Sequence, residues 1–405
     1  MIQRPRLLPV YLLQAANFVS GLGNAIVVIT IPWLILERTG SPAFAGIVVA
    51  VSALPALIVS PFSGWMVDHL GRRVVSIGSD ILSAISVMSF PIVAATIGLT
   101  NSLILILALI GAIFDPAGYT ARRTLLTDAA RATGIDQDRL NGIHDGIFGI
   151  GWVAGPAIGA WLIVVVGAVN SFWIAAGLFA FAALCIFFLK IGDMGREARE
   201  VLREAGNLDG HGFVQGFVVL WNDKLLRTIT FAVLTIAAVY LPTESVILPT
   251  YFEDLNKPAH LGFVISMLAA GTTFGAFGYG WISKRISRKN LVRVILIGSA
   301  LSVIPMSFLP PLPILSLAGF ALGFFWGPFN PLITTLIQER VSPDQHGRVF
   351  GVQISVFYAA PPLGMILAGL SVERWGVAGT YAVLSAILSI TAIGVLATKS
   401  LKREF

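Results

Sequence analysis

From Leu7 to Leu36 the chain runs thirty residues without one charged side chain. A helix of that length that is apolar all round has no place on a water-soluble domain, and about 20 residues already cross the hydrocarbon of a bilayer. The run is too long for a signal-peptide core and has no convincing cleavage site, so it reads as a retained first span. Charged or turn-rich breaks divide the rest similarly, giving twelve candidate helices at about 8–36, 43–67, 74–98, 102–121, 142–166, 170–190, 227–252, 261–282, 291–309, 313–337, 348–372 and 378–397. Open strands cannot satisfy their backbone groups in lipid. The expected fold class is therefore all-α integral membrane, a bundle of antiparallel helices.

Composition supports this, with 56% hydrophobic and 12% charged residues among 405. The formal charge of +6 could suggest nucleic acid, but its distribution gives a different cause. If the N-terminus is cytoplasmic, the cytoplasmic segments carry 24 of the 27 Lys and Arg, leaving only Arg38, Lys257 and Arg374 outside. That bias sets orientation, with both termini inside, and needs no nucleic-acid partner. The single cysteine, Cys185, lies in an apolar run, and the five histidines have no metal spacing. Neither a cofactor nor a metal is expected.

The largest break, 191–226, separates six spans (1–190) from six (227–405) and reads as a cytoplasmic linker. The two halves also repeat. Gly64 to Arg73 reads Gly-Trp-Met-Val-Asp-His-Leu-Gly-Arg-Arg, and Gly280 to Lys289 reads Gly-Trp-Ile-Ser-Lys-Arg-Ile-Ser-Arg-Lys, 216 residues later. Each follows the second span of its half, and Asp68 becomes Lys284.

The first loop, with Gly64, Asp68, Gly71, Arg72 and Arg73, resembles the signature between helices 2 and 3 of the major facilitator superfamily of secondary transporters. Gly151-x-x-x-Gly155-Pro156-x-x-Gly159 resembles the fifth-span motif of the superfamily's antiporters. Phe114-Asp115-Pro116-Ala117, followed by Arg139-Leu140-Asn141-Gly142, is similar to the drug:proton antiporter branch. Leu241 to Val246 and Pro311-Leu312-Pro313 look closest to the Tap-type multidrug efflux proteins of actinobacteria. The resemblance runs from about Ala16 to Thr398 and implies two pseudo-symmetric six-helix halves around a central cavity. Two departures stand out: Asn24 occupies a position where some relatives have an acid, and no arginine is expected inside span 4.

Four acids, Asp80, Asp115, Asp145 and Glu244, interrupt apolar spans, each at a cost of about 2.5–3.5 kcal/mol on insertion scales. No Lys or Arg is expected deep in any span to pair with them. Asp80, Asp115 and Asp145 lie six or seven residues inside the nearest arginine, roughly 10 Å deep, and Glu244 lies farther up, toward the outer half. An isolated buried carboxyl favours its neutral form, which suits a reversible proton carrier. Glu244, Asp145 and Asp115 are the expected proton-coupling residues. His144 is expected to make an interhelical hydrogen bond, and Asn24, Tyr240, Trp326 and Tyr358 are candidates for the substrate cavity.

The expected function is proton-coupled export of amphipathic or cationic small molecules by a monomer in a bacterial cell membrane. Proton-coupled solute uptake and export of a siderophore or metabolite are the alternatives. An integral-membrane enzyme is disfavoured, because the sequence holds no Ser/His/Asp set, metal cluster or phosphate loop.

Overall fold

The computed structural model describes residues 7–191, 217–218, 220–341 and 346–397, and the linker expected at 191–226 lies largely outside them. The described chain is helical. Its elements are α1 (Leu8–Thr39), α2 (Pro42–Leu70), α3 (Arg72–Thr96), α4 (Asn101–Thr133), α5 (Gln137–Val166) and α6 (Ala168–Phe188). They continue with α7 (Lys224–Pro242), a π turn (Thr243–Ile247), α8 (Leu248–Asp254), α9 (Pro258–Ile282), α10 (Arg288–Met306), α11 (Leu312–Trp326), α12 (Phe329–Arg340) and α13 (His346–Ala397). Nine described stretches are long and apolar enough to cross a membrane, and the shorter apolar pieces Pro42–Pro55 and Asn290–Met306 lie in α2 and α10. α13 breaks at Gly376, where φ is 70°, so it supplies two of the expected spans.

The helix ends follow from local chemistry. Thr100, Asp136, Asp223 and Ser287 accept backbone N–H bonds at the starts of α4, α5, α7 and α10. Gly71 separates α2 from α3 at φ 98°, a conformation that an L side chain resists. α4 continues twelve residues beyond the expected end at 121 and stops at the left-handed Gly134. Arg122 and Arg123 therefore lie inside a helix rather than in a loop.

Contacts divide the chain into two compact units, Met1–Ile35 with Val51–Asn207 and Leu36–Ala50 with Leu208–Phe405. In the first, Val10 and Leu13 of α1, Leu125, Leu126 and Ala129 of α4, Leu140 of α5, and Ala182, Cys185 and Ile186 of α6 form one core. Phe90 of α3 stacks on Phe172 of α6 at 4.5 Å between ring centroids. Large apolar side chains such as Trp161 and Val164 point outward. With lipid on that side, association rests on close packing rather than on escape from water.

Glycine supplies that closeness. A Cβ on Gly155 of α5 would lie 2.2 Å from the Cβ of Ala25 on α1, and one on Gly159 would lie 3.3 Å from the Cα of Ile26. In the second unit, a Cβ on Gly271 or Gly275 of α9 would meet the carbonyl oxygens of Phe320 and Phe324 at 2.0 and 2.1 Å. Gly323 and Gly327 of α11 meet those of Leu268 and Thr272 at 2.0 and 2.2 Å in return. Each glycine row is thus a helix–helix seam.

Candidate functional site

Two polar constellations interrupt the apolar packing, one in each unit. The first is built by α1, α3 and α4. Arg122 Nη1 lies 2.9 Å from each oxygen of Asp80, and Ser20 Oγ donates to Asp80 Oδ1 at 3.0 Å. All three side chains are buried. This corrects two sequence expectations: span 4 does hold an arginine, and Asp80 has a cationic partner. An ion pair inside a bundle needs such neighbours, because either charge alone is strongly destabilising there.

Two turns earlier on α4, Asp115 receives a hydrogen bond from Asn24 Nδ2 at 2.6 Å. The polar residue that stands where some relatives have an acid therefore serves the α4 carboxylate. Asp145 is half-exposed, and its Oδ1 lies 3.3 Å from Nη1 of Arg123. The expectation that no basic residue reaches the intramembrane acids fails here as well, again because α4 extends past 121. His144 makes the expected interhelical bonds: its Nδ1 lies 3.1 Å from Gln14 Oε1, and its carbonyl accepts from Asn17 Nδ2 at 3.0 Å.

The stretch expected as a loop after the second span is instead the end of α2 and the start of α3, broken at Gly71, and its two arginines tie α3 to its neighbours. Arg72 Nη1 donates to Asp128 Oδ1 at 3.0 Å and to the Thr124 carbonyl at 3.2 Å, both on α4. Arg73 Nε donates to the Ile186 carbonyl at 3.1 Å, and its Nη2 reaches Phe187 O. The side chain of Asp68 lies outside the described residues. Sequence reasoning missed Asp128 and Ser20. Asp128 could have been found from the unbroken helical spacing up to Gly134, whereas nothing in the sequence marks Ser20.

The second constellation lies in the other unit. A cavity of about 540 Å³ is lined by Val233 of α7, Thr272 of α9, Trp326 of α11, Phe329 and Asn330 of α12, and Gln353 of α13, among others. None of its described lining residues carries a charge. Trp326 stacks on Tyr240 with 5.2 Å between centroids and 18° between planes, and the Tyr240 hydroxyl lies 3.0 Å from Thr272 Oγ1. Of the residues expected at a cavity, Trp326 lines this one, and Tyr240 is stacked on Trp326 without being among the lining residues. Asn24 instead belongs to the α1–α4 pair, and the side chain of Tyr358 lies outside the described residues.

Glu244 stands one turn after Tyr240 on the π turn. Pro242 has no amide hydrogen to continue the helical ladder, and the hydroxyls of Thr243 and Ser245 bond back to Val239 O at 2.7 Å and Leu241 O at 2.6 Å. π turns of this kind concentrate at functional sites. Glu244 is partly buried and makes no hydrogen bond or ion pair with the described residues.

The family model for the Major Facilitator Superfamily matches residues 15–255 and 244–404. The chain belongs to the major facilitator superfamily. As a facilitator it is a transporter, not an enzyme. It is 39% identical over 394 residues to the multidrug efflux pump Tap of Mycolicibacterium fortuitum, covering 96% of this chain and 95% of that one. Tap of Mycobacterium tuberculosis (strain ATCC 25618 / H37Rv) is 36% identical, with 96% and 93% covered. Macrolide efflux protein A of Streptococcus pyogenes is 24% identical, with 91% and 90% covered. Among solved structures, the nucleoside transporter NupG superposes with a TM-score of 0.80 at 15% identity, covering 98% of this chain and 100% of that one. At that identity the likeness speaks for the facilitator fold alone.

Proposed function

We propose that this facilitator is a proton-coupled multidrug exporter of a bacterial cell membrane, acting as a monomer with both termini in the cytoplasm. The observation that carries the reading is the end-to-end similarity, 36–39% identity over 96% of the chain, to proteins named as multidrug efflux pumps. The concentration of Lys and Arg in alternate loops supports the orientation.

The geometry fits that activity. Aromatic walls with neutral hydrogen-bonding groups accept flat amphipathic molecules of varied shape, and Trp326, Phe329, Thr272 and Gln353 offer such a surface, with Tyr240 stacked on Trp326. Glu244 and Asp115 are the acids that the protons use: neither has an ion-pair partner among the described residues, whereas Asp80 and Asp145 each hold an arginine. Glu244, one turn after Tyr240 and within its electrostatic reach, binds a substrate cation when it is ionised, so proton and substrate compete for one carboxylate. Asp145, half-exposed and beside Arg123, serves proton release to the cytoplasm. The membrane potential adds about 2.3 kcal/mol per charge per 100 mV to the drive.

The test is transport in proteoliposomes with an imposed pH gradient, screened against dyes, antibiotics and siderophores. Uptake of amphipathic dyes into acid-loaded vesicles is the expected outcome. Accumulation only of small polar nutrients, or only without the gradient, would overturn the proposal.

A further inference from the structure

The unit built by α1 and α3–α6 sets two carboxylates, the buried Asp80 and the partly buried Asp115, around the guanidinium of Arg122. Asp80 of α3 and Arg122 of α4 are each 2% exposed. Asp115 lies seven residues before Arg122, two turns away on nearly the same face of α4. The Arg122 side chain folds back along its helix toward Asp115, because a Cβ placed on Gly118 would lie 3.4 Å from Arg122 Nη1. Gly118 is one turn past Asp115, so its missing side chain leaves room for the guanidinium in the interval between the two acids. On the opposite wall, Ser20 and Asn24 stand one turn apart on α1, and each bonds one of the acids.

Asp115 lies within electrostatic reach of both Arg122 and Asp80. Three further groups complete the surroundings: His144 of α5 is within electrostatic reach of Arg122 and Arg123, and Cys185 of α6 is within electrostatic reach of Asp80. Ionised together, the two carboxylates exceed the one buried guanidinium by one negative charge. An uncompensated charge at that depth is strongly disfavoured, and one proton removes it. In this structure the guanidinium rests on Asp80, while among the described residues Asp115 accepts a hydrogen bond from the neutral amide of Asn24.

We infer that Arg122 is a shared counter-ion, and that the protonation of Asp115 decides which of the two carboxylates it holds. This rests on the proton-coupled reading above and adds the residue that converts proton binding into movement. With Asp115 protonated, Arg122 stays on Asp80, and Ser20 ties α1 to the pair. When the O–H bond of Asp115 breaks and the proton leaves to water, the new carboxylate competes for the guanidinium from one turn away. The bond from Arg122 to Asp80 then lengthens, and α3 is freed from α4 at that level. No other bond forms or breaks. Arg122 is a positioning residue in this scheme.

Infrared difference spectroscopy on the purified full chain in lipid nanodiscs tests it through the carbonyl stretch of protonated carboxylic acids. At neutral pH the wild type should show a component that Asp115→Asn removes. Asp80→Asn should remove the same component, because the freed guanidinium passes to Asp115 and keeps it ionised. Arg122→Gln should roughly double it, since both acids must then be neutral. Persistence of the Asp115 component in Asp80→Asn overturns the shared counter-ion, as does its absence from the wild type. Asp80→Asn keeps shape and removes a charge, so this arm does not depend on Arg122→Gln folding. If the infrared pattern holds but no gradient drives transport, the exporter reading fails and the shared counter-ion stands. If wild-type transport follows the gradient but Asp80→Asn leaves the band unchanged, only the counter-ion fails.

Discussion

Replacing Gly155 with Ala adds one methyl group at the tightest contact between α5 and α1. The new Cβ would lie 2.2 Å from the Cβ of Ala25, whereas carbon atoms pack at about 3.5–4.0 Å. The helices must separate by roughly 1.5 Å, or one must rotate, and overpacking of this kind costs about 1–3 kcal/mol. That corresponds to about a 5- to 160-fold change in an equilibrium constant. Because the obstructing atom is itself a methyl group, Ala25→Gly should remove the clash, and the double variant should recover most of the loss. Detergent-titrated unfolding in mixed micelles measures the cycle, with Val164→Ala at an outward-facing position (59% exposed) as the control. Expected are a clear loss in Gly155→Ala, little change in Val164→Ala, and a coupling of about 1–3 kcal/mol between positions 25 and 155. Equal stability of Gly155→Ala and Val164→Ala, or no rescue by Ala25→Gly, would refute the seam.

Three further outcomes follow from the second unit. Trp326→Ala removes an aromatic face from the cavity wall, and losing about 0.5–1.5 kcal/mol of stacking with a bound ring predicts roughly 2- to 13-fold weaker binding of flat aromatic dyes, measured by fluorescence titration. Glu244→Gln keeps the shape of the π turn but fixes the neutral form, so pH-driven efflux should stop while counterflow of a neutral substrate continues; normal pumping against a gradient would make Glu244 structural. Asp223 caps α7 and accepts from Arg340 Nε at 2.8 Å. Burial opposes its ionisation, but hydrogen bonds from Arg340, Leu226 and Leu225 outweigh that and hold the carboxyl below its usual value of 3.8. A depressed value means that the stabilisation is present above about pH 4 and is lost as pH falls through the folded value. Asp223→Asn should therefore unfold more easily than wild type at neutral pH, and thermal scans at pH values below the folded value should show the gap closed.

The parts of the fold that follow periodicity were legible in the chain. Apolar runs define the spans, and the glycine spacing from Gly151 to Gly159 lies where α5 packs closely on α1. Arg122 escapes such a reading because the first charges after an apolar run mark the end of a span, whereas α4 continues to Thr133. A helix can carry arginine farther in when a second helix brings an acid, and which α3 residue faces α4 is a tertiary fact. Asp145 shows the same limit from the other side. Its depth along α5 could be counted, but its face could not, and the half-exposed side chain beside Arg123 lies on a different surface from the buried His144 next to it. The π turn that carries Glu244 rests on Pro242 together with the hydroxyls of Thr243 and Ser245, a combination that no hydrophobic period marks.

Simultaneous recording of proton and substrate flux tests proton-coupled export most directly. Proteoliposomes with an acidic lumen and a trapped pH dye are given an amphipathic dye or antibiotic outside. Exchange predicts that substrate addition speeds alkalinisation of the lumen while substrate accumulates there. Substrate entry with no change in lumenal pH, or co-movement of substrate and protons in one direction, would contradict it.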